Sequence, residues 1–171
     1  NKVLVSDSGE YLKDLGDAHY NFTVGFLRFA ATRGSVLELQ RVLIRGLKTL
    51  GLRIARQNEN GQRVAKFLEG HPKIERVWHP SLPSHPDNRI AQLQMAGFGG
   101  VISFSVRGRD ALTAGSKMVD NVTIPLIAPS LGGVETLIEQ PALMSYYELS
   151  KEERRHQGIK DNLVRLSLGI E

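Results

Sequence analysis

The stretch Leu163-Val164-Arg165-Leu166-Ser167-Leu168 alternates along its length, so Leu163, Arg165 and Ser167 share one face of a strand and Val164, Leu166 and Leu168 the other. A guanidinium carried on a strand is held in a fixed direction, and its planar fork matches a carboxylate in bidentate fashion. The same alternation also describes a polar outer face over an apolar core. A second group able to do chemistry is Ser130, which follows Pro129 and precedes Leu131-Gly132-Gly133. Glycines there let the backbone approach a ligand closely, although a serine beside two glycines is also an ordinary turn residue.

Other reactive types are less promising. There is no cysteine, which rules out a disulfide framework, a thiolate nucleophile and a cysteine-type zinc site, and fits a reducing compartment. The histidines His19, His71, His79, His85 and His156 show no i,i+4 pair and no His-Glu-x-x-His context, so surface or turn positions are expected and no metal site. Among eight lysines able to condense with a carbonyl cofactor, only Lys48 lies in a conspicuous motif, and on a helix it reads as solvated. Gly97-Phe98-Gly99-Gly100 leads into a strand rather than a helix N-terminus and so reads as a structural turn, not a phosphate loop.

These residues need elements to hold them. Val36, Leu39, Leu43, Leu47 and Leu50 recur at helical spacing, Gly51 breaks the run, and a second periodic stretch ends at Gly70-His71-Pro72. Two successive helices, or one kinked helix, follow. Ile74–Trp78 and Val101–Val106 alternate with period two and read as strands, with a short helix over Asp87–Met95 between them. A helix is expected over Asp110–Val119, an extended segment over Thr123–Ala128, a helix from the Ser150/Glu153 capping box to about Gln157, and a closing strand over Leu163–Leu168. Residues 1–34 carry only a short apolar run at Val3–Val5, a turn at Ser6–Gly9 and an apolar patch from Phe22 to Ala31. Strands alternating with helices predict an α/β domain of two layers, a sheet covered by helices.

The chain has 171 residues, 41% apolar and 23% charged, which suits one soluble globular domain. Its net charge of +4 comes from basic residues interleaved with acidic ones, as in Lys151 to Arg155, so no nucleic-acid partner is expected. No apolar run approaches the roughly 18–20 residues of a membrane span, so no membrane partner is expected either. A chain opening on Asn1 rather than methionine is expected to be part of a longer one.

Arg45-Gly46-Leu47-Lys48-Thr49-Leu50, Gly97 to Phe104, Ala128 to Ile138 and Leu163 to Glu171 occur in one order at suitable distances. Together they resemble the C-terminal part of the pyridoxal-phosphate enzymes of cysteine and methionine metabolism: cystathionine γ-synthase, the cystathionine and methionine γ-lyases and their relatives. Ala128 to Glu135, Gln140 to Tyr146 and Asp161 to Glu171 look most like the plant and cyanobacterial synthase branch. The resemblance implies the C-terminal domain of a fold-type I enzyme, a small, mostly antiparallel sheet preceded by long linking helices. Residues 42–171 would form that domain, and residues 1–41 a lead-in from the larger cofactor domain. It implies that Arg165 binds the substrate α-carboxylate, that Ser130 lies beside cofactor and amino-acid substrate with a catalytic part, and that Ser145 helps hold the arginine. The cofactor, pyridoxal 5′-phosphate, would be bound mainly by residues upstream of Asn1, including the Schiff-base lysine, so no cofactor-binding residue is expected in this chain and the isolated chain would be inactive. The implied reaction replaces the γ-substituent of an activated homoserine by cysteine, in methionine biosynthesis. The γ-lyases and a non-catalytic folding or assembly role are the alternatives. A homotetrameric parent in the cytoplasm or plastid stroma completes the expectation.

Overall fold

The computed structural model describes residues 36–171, and the apolar run, turn and patch noted before residue 35 lie outside the described residues. The described elements are α1 (Val36–Leu47), α2 (Leu50–Glu69), β1 (Ile74–Trp78), α3 (Asn88–Gln94), β2 (Val101–Val106), α4 (Ala111–Asp120), β3 (Leu126–Ile127), β4 (Leu137–Glu139), a 3-10 turn (Pro141–Leu143), α5 (Lys151–His156) and β5 (Leu163–Ser167). The chain divides into two compact units, Asn1–Gly51 and Leu52–Glu171. In the first, α1 carries Val42, Leu43, Ile44 and Leu47, all exposed.

The interruption between the leading helices falls at Lys48 and Thr49, not at Gly51, which lies inside α2. A lone glycine inside a helix costs only about 1 kcal/mol relative to alanine, so it does not end one. The stop at the far end is as expected: His71 N–H donates to the Leu68 carbonyl (3.1 Å) after α2 ends at Glu69.

The second unit is built on a five-stranded sheet of order β1-β2-β5-β4-β3, antiparallel throughout except for the parallel β3–β4 pair. This is the helix-covered, mostly antiparallel sheet expected. One face carries Ile102, Phe104 and Val106 of β2, Val164 and Leu166 of β5 and Ile138 of β4, packed with Ala65 and Leu68 of α2 and Val119 of α4. In β1, strict alternation would set Ile74 and Val77 on opposite faces. A register shift between Ile74 and Arg76 puts both in the core, as a bulge does.

Two differences concern the region near the site. The extended segment expected over Thr123–Ala128 pairs only at Leu126–Ile127, and its partner β4 lies in a stretch where the sequence predicts no element. Strand β4 is three residues of Leu-Ile-Glu, too short for periodicity to register. Helix α4 begins as expected, with the Asp110 carboxylate accepting from Thr113 N–H at 2.9 Å, and α5 opens on a complete Ser150/Glu153 capping box.

Helix α2 approaches the Gly97–Gly100 turn very closely. A Cβ on Gly61 would stand 2.1 Å from the Gly99 carbonyl oxygen, so only glycine fits there. Gly99 itself has φ +81, the left-handed region that glycine enters without penalty, and its N–H donates to the Asn58 side chain at 2.7 Å. The turn is structural, as read from the sequence.

Candidate functional site: a strand-borne arginine and its supports

Strand β5 runs through the middle of the sheet, and Arg165 projects from the face opposite Val164 and Leu166. Its cross-strand neighbours are Ser103 on β2 and Glu139 on β4. Glu139 is 1% exposed, and its Oε1 pairs with Arg165 Nη1 at 2.9 Å. The other carboxylate oxygen, Oε2, accepts from the Ser145 hydroxyl at 2.7 Å. Arg165 Nη2 donates to the carbonyl oxygens of Pro129 (2.5 Å) and Ser130 (3.2 Å). Burial pushes the Glu139 carboxyl above its usual range, while the Ser145 hydrogen bond and the Arg165 charge pull it back.

All three residues expected from the sequence therefore gather at one place, with their contacts distributed differently than expected. Ser145 touches Arg165 only through Glu139, a residue the sequence reading passed over. The signal was present: a glutamate in Leu137-Ile138-Glu139-Gln140-Pro141-Ala142 sits amid apolar residues, and a buried carboxylate demands a partner. Ser130 contributes its carbonyl to the guanidinium, and its exposed hydroxyl has no hydrogen-bond partner among the described residues.

The loop bearing Ser130 is anchored from three directions. Arg53 and Gln57 of α2 donate to the carbonyls of Gly132 (2.9 Å) and Gly133 (2.8 Å), and Gly132 N–H donates to Ser167 Oγ on β5 (3.3 Å). Gly132 has φ +78, which lets the chain turn there. The chain's last residues close the arrangement: Ile170 N–H donates to the Val134 carbonyl (2.9 Å), and the Glu171 carboxylate accepts from Thr136 N–H (2.7 Å).

Among the described residues the histidines take no part. His71, His79 and His85 each accept, at Nδ1, the N–H of the residue two positions on, at 3.2, 3.4 and 3.1 Å. They are turn histidines as expected; His79 is wholly buried there, and its Nε2 faces the Gly99 carbonyl at 3.2 Å. Burial lowers its affinity for a proton, partly offset by that carbonyl. Among the described residues no group of three potential metal ligands occurs, and no helix is long and apolar enough to cross a membrane.

A sequence profile described as Cys/Met metabolism PLP-dependent enzyme matches residues 22–171. The chain belongs to that family. It is 53% identical over 130 residues to cystathionine gamma-synthase 1, chloroplastic, of Arabidopsis thaliana, covering 76% of this chain and 23% of that protein. It is 39% identical to an L-methionine gamma-lyase of Fusobacterium nucleatum subsp. nucleatum over 99% of this chain and 45% of that protein. Among solved structures, cystathionine gamma synthase from Xanthomonas oryzae pv. oryzae in complex with aminoacrylate and cysteine matches with a TM-score of 0.68 at 41% identity, over 74% of this chain and 32% of that one. The chain thus spans between about a quarter and a half of the length of these relatives. The family's pyridoxal phosphate does not find its full set of partners at the Arg165 site. Arg165's hydrogen bonds there run to Glu139, Pro129 and Ser130, while Lys151 and Lys160 are paired elsewhere, with Asp161 and Glu75.

Proposed function

We propose that this chain supplies the carboxylate-binding side of a pyridoxal-phosphate-dependent cystathionine γ-synthase, which exchanges the γ-substituent of an activated homoserine for the sulfur of cysteine. The observation that carries the reading is Arg165, fixed on the central strand with its guanidinium braced by Glu139 and by the Pro129 and Ser130 carbonyls. A guanidinium so held receives an α-carboxylate in one orientation, which sets the remainder of the substrate with respect to the reacting centre. Ser130, whose hydroxyl is uncommitted, stands on the loop beside that guanidinium and contributes a hydrogen bond to substrate; Ser145 supports the site through Glu139. In this reading residues 42–171 are the C-terminal domain of a soluble homotetramer of the plastid stroma or cytoplasm, and the Schiff-base lysine lies elsewhere in the gene product.

Identity above one half with plant cystathionine gamma-synthases favours the synthase. The match of a methionine gamma-lyase over nearly the whole chain supports a second reading, a γ-lyase. Incubating the whole gene product with an O-activated L-homoserine and L-cysteine separates them. Cystathionine forming faster than 2-oxobutanoate is the expected result, and the reverse order replaces the first reading with the second.

A further inference from the structure

Glu139 is the least exposed charged group near Arg165, and both of its oxygens are occupied, one by the Arg165 guanidinium and one by the Ser145 hydroxyl. It cannot reach a ligand. Its cross-strand register with Arg165 brings the two side chains together without any loop having to fold over them. Arginine has a long side chain with several free rotations, and a ligand that must immobilise it loses affinity. Here that immobilisation is already made, by Glu139 at Nη1 and by the loop carbonyls at Nη2.

We infer that Glu139 is a positioning residue: a buried strut that sets the rotation of the Arg165 guanidinium before a carboxylate arrives, with Ser145 fixing the strut from its far side. This rests on the reading of Arg165 as carboxylate receptor. An ion pair that merely held β4 to β5 would leave carboxylate recognition untouched. The strut is tied to the Met144–Ser145 segment as well as to the sheet, so it joins three pieces of chain at one guanidinium.

The test uses the whole gene product, loaded with cofactor, and calorimetric Kd values for L-methionine and for its decarboxylated analogue, 3-(methylsulfanyl)propylamine. The ratio of the two reports carboxylate recognition alone. Arg165→Gln is expected to abolish the preference; if it leaves the ratio unchanged, the carboxylate reading itself falls. Glu139→Ala is expected to lower the ratio by about two- to tenfold, the cost of immobilising one long side chain. Glu139→Gln, which keeps an acceptor for Nη1, is expected to recover most of it. A folded Glu139→Ala protein with an unaltered ratio, or one whose loss is undiminished in the Arg165→Gln background, overturns the inference while leaving Arg165's role intact. So does a glutamine variant as impaired as the alanine one. Should Glu139→Ala not fold, the milder Ser145→Ala decides: a reduced ratio supports the strut and an unchanged one refutes it.

Discussion

At Arg165 the arithmetic is that of charged hydrogen bonds. Replacing the fork by the point charge of lysine in Arg165→Lys keeps the sign and loses the bidentate geometry. Each such bond contributes about 1.5–3 kcal/mol, so the KM for the amino-acid substrate is expected to rise roughly ten- to hundredfold. An Arg165→Lys enzyme with wild-type KM would remove the clamp from the site. Glu139 gives a separate signature in stability. Its folded pKa lies above the ordinary value, so the folded protein binds that proton more tightly than the unfolded chain. The corresponding stability is present below the unfolded pKa of about 4.5 and is lost as pH rises through the folded one. Urea midpoints across that interval should fall for the wild type and fall less for Glu139→Gln; parallel slopes would show that Glu139 does not titrate there.

The elements that carry the site repeat this logic over longer distances. Asp161, between α5 and β5, takes Lys151 Nζ and Arg154 Nη2, each at 3.0 Å. Burial alone would raise its pKa, but these two partners outweigh it and hold the carboxyl below the usual aspartate range. Its contribution is present above the unfolded pKa and disappears as pH falls through the folded value, so Asp161→Asn should flatten the acid limb of a thermal-stability profile. A steeper tie is Gly61: its Cβ position meets backbone atoms of Gly99 and Gly100 at 2.1 and 3.2 Å, which cannot retreat like a flexible side chain. Gly61→Ala should therefore cost about 1–3 kcal/mol or more, measured as a drop in urea midpoint, and full stability would refute the contact. What could be read in advance follows the same division. Periodicity over five or more residues exposed α2, β1, β2, α4 and β5, and Ser150 with Glu153 announced α5. It failed where geometry is non-local: β4 is a strand because β5 and β3 flank it, and Glu139 matters because register sets it opposite Arg165. Likewise the alternation of β5 left Arg165 undecided between surface and site, since the groups that brace its guanidinium belong to other segments.

For the molecule as a whole, the expectation of a Schiff-base lysine elsewhere can be tried directly. The 171-residue chain, incubated with pyridoxal phosphate and reduced with borohydride, should retain no stoichiometric adduct on any one of its eight lysines, as read by peptide mass mapping. A single-site, stoichiometric adduct would relocate the cofactor's attachment into this chain. Helix α2 carries a further implication. Arg53, Gln57 and Asn60 stand one turn apart on a single stripe and donate to the carbonyls of Gly132, Gly133, Gly169 and Glu171. Two segments far apart in sequence are thereby graduated against one rigid rod, as two scales read against the same ruler. Slippage of either by a residue would break several marks at once, so the loop of Ser130 and the strand end beyond Arg165 keep a common zero.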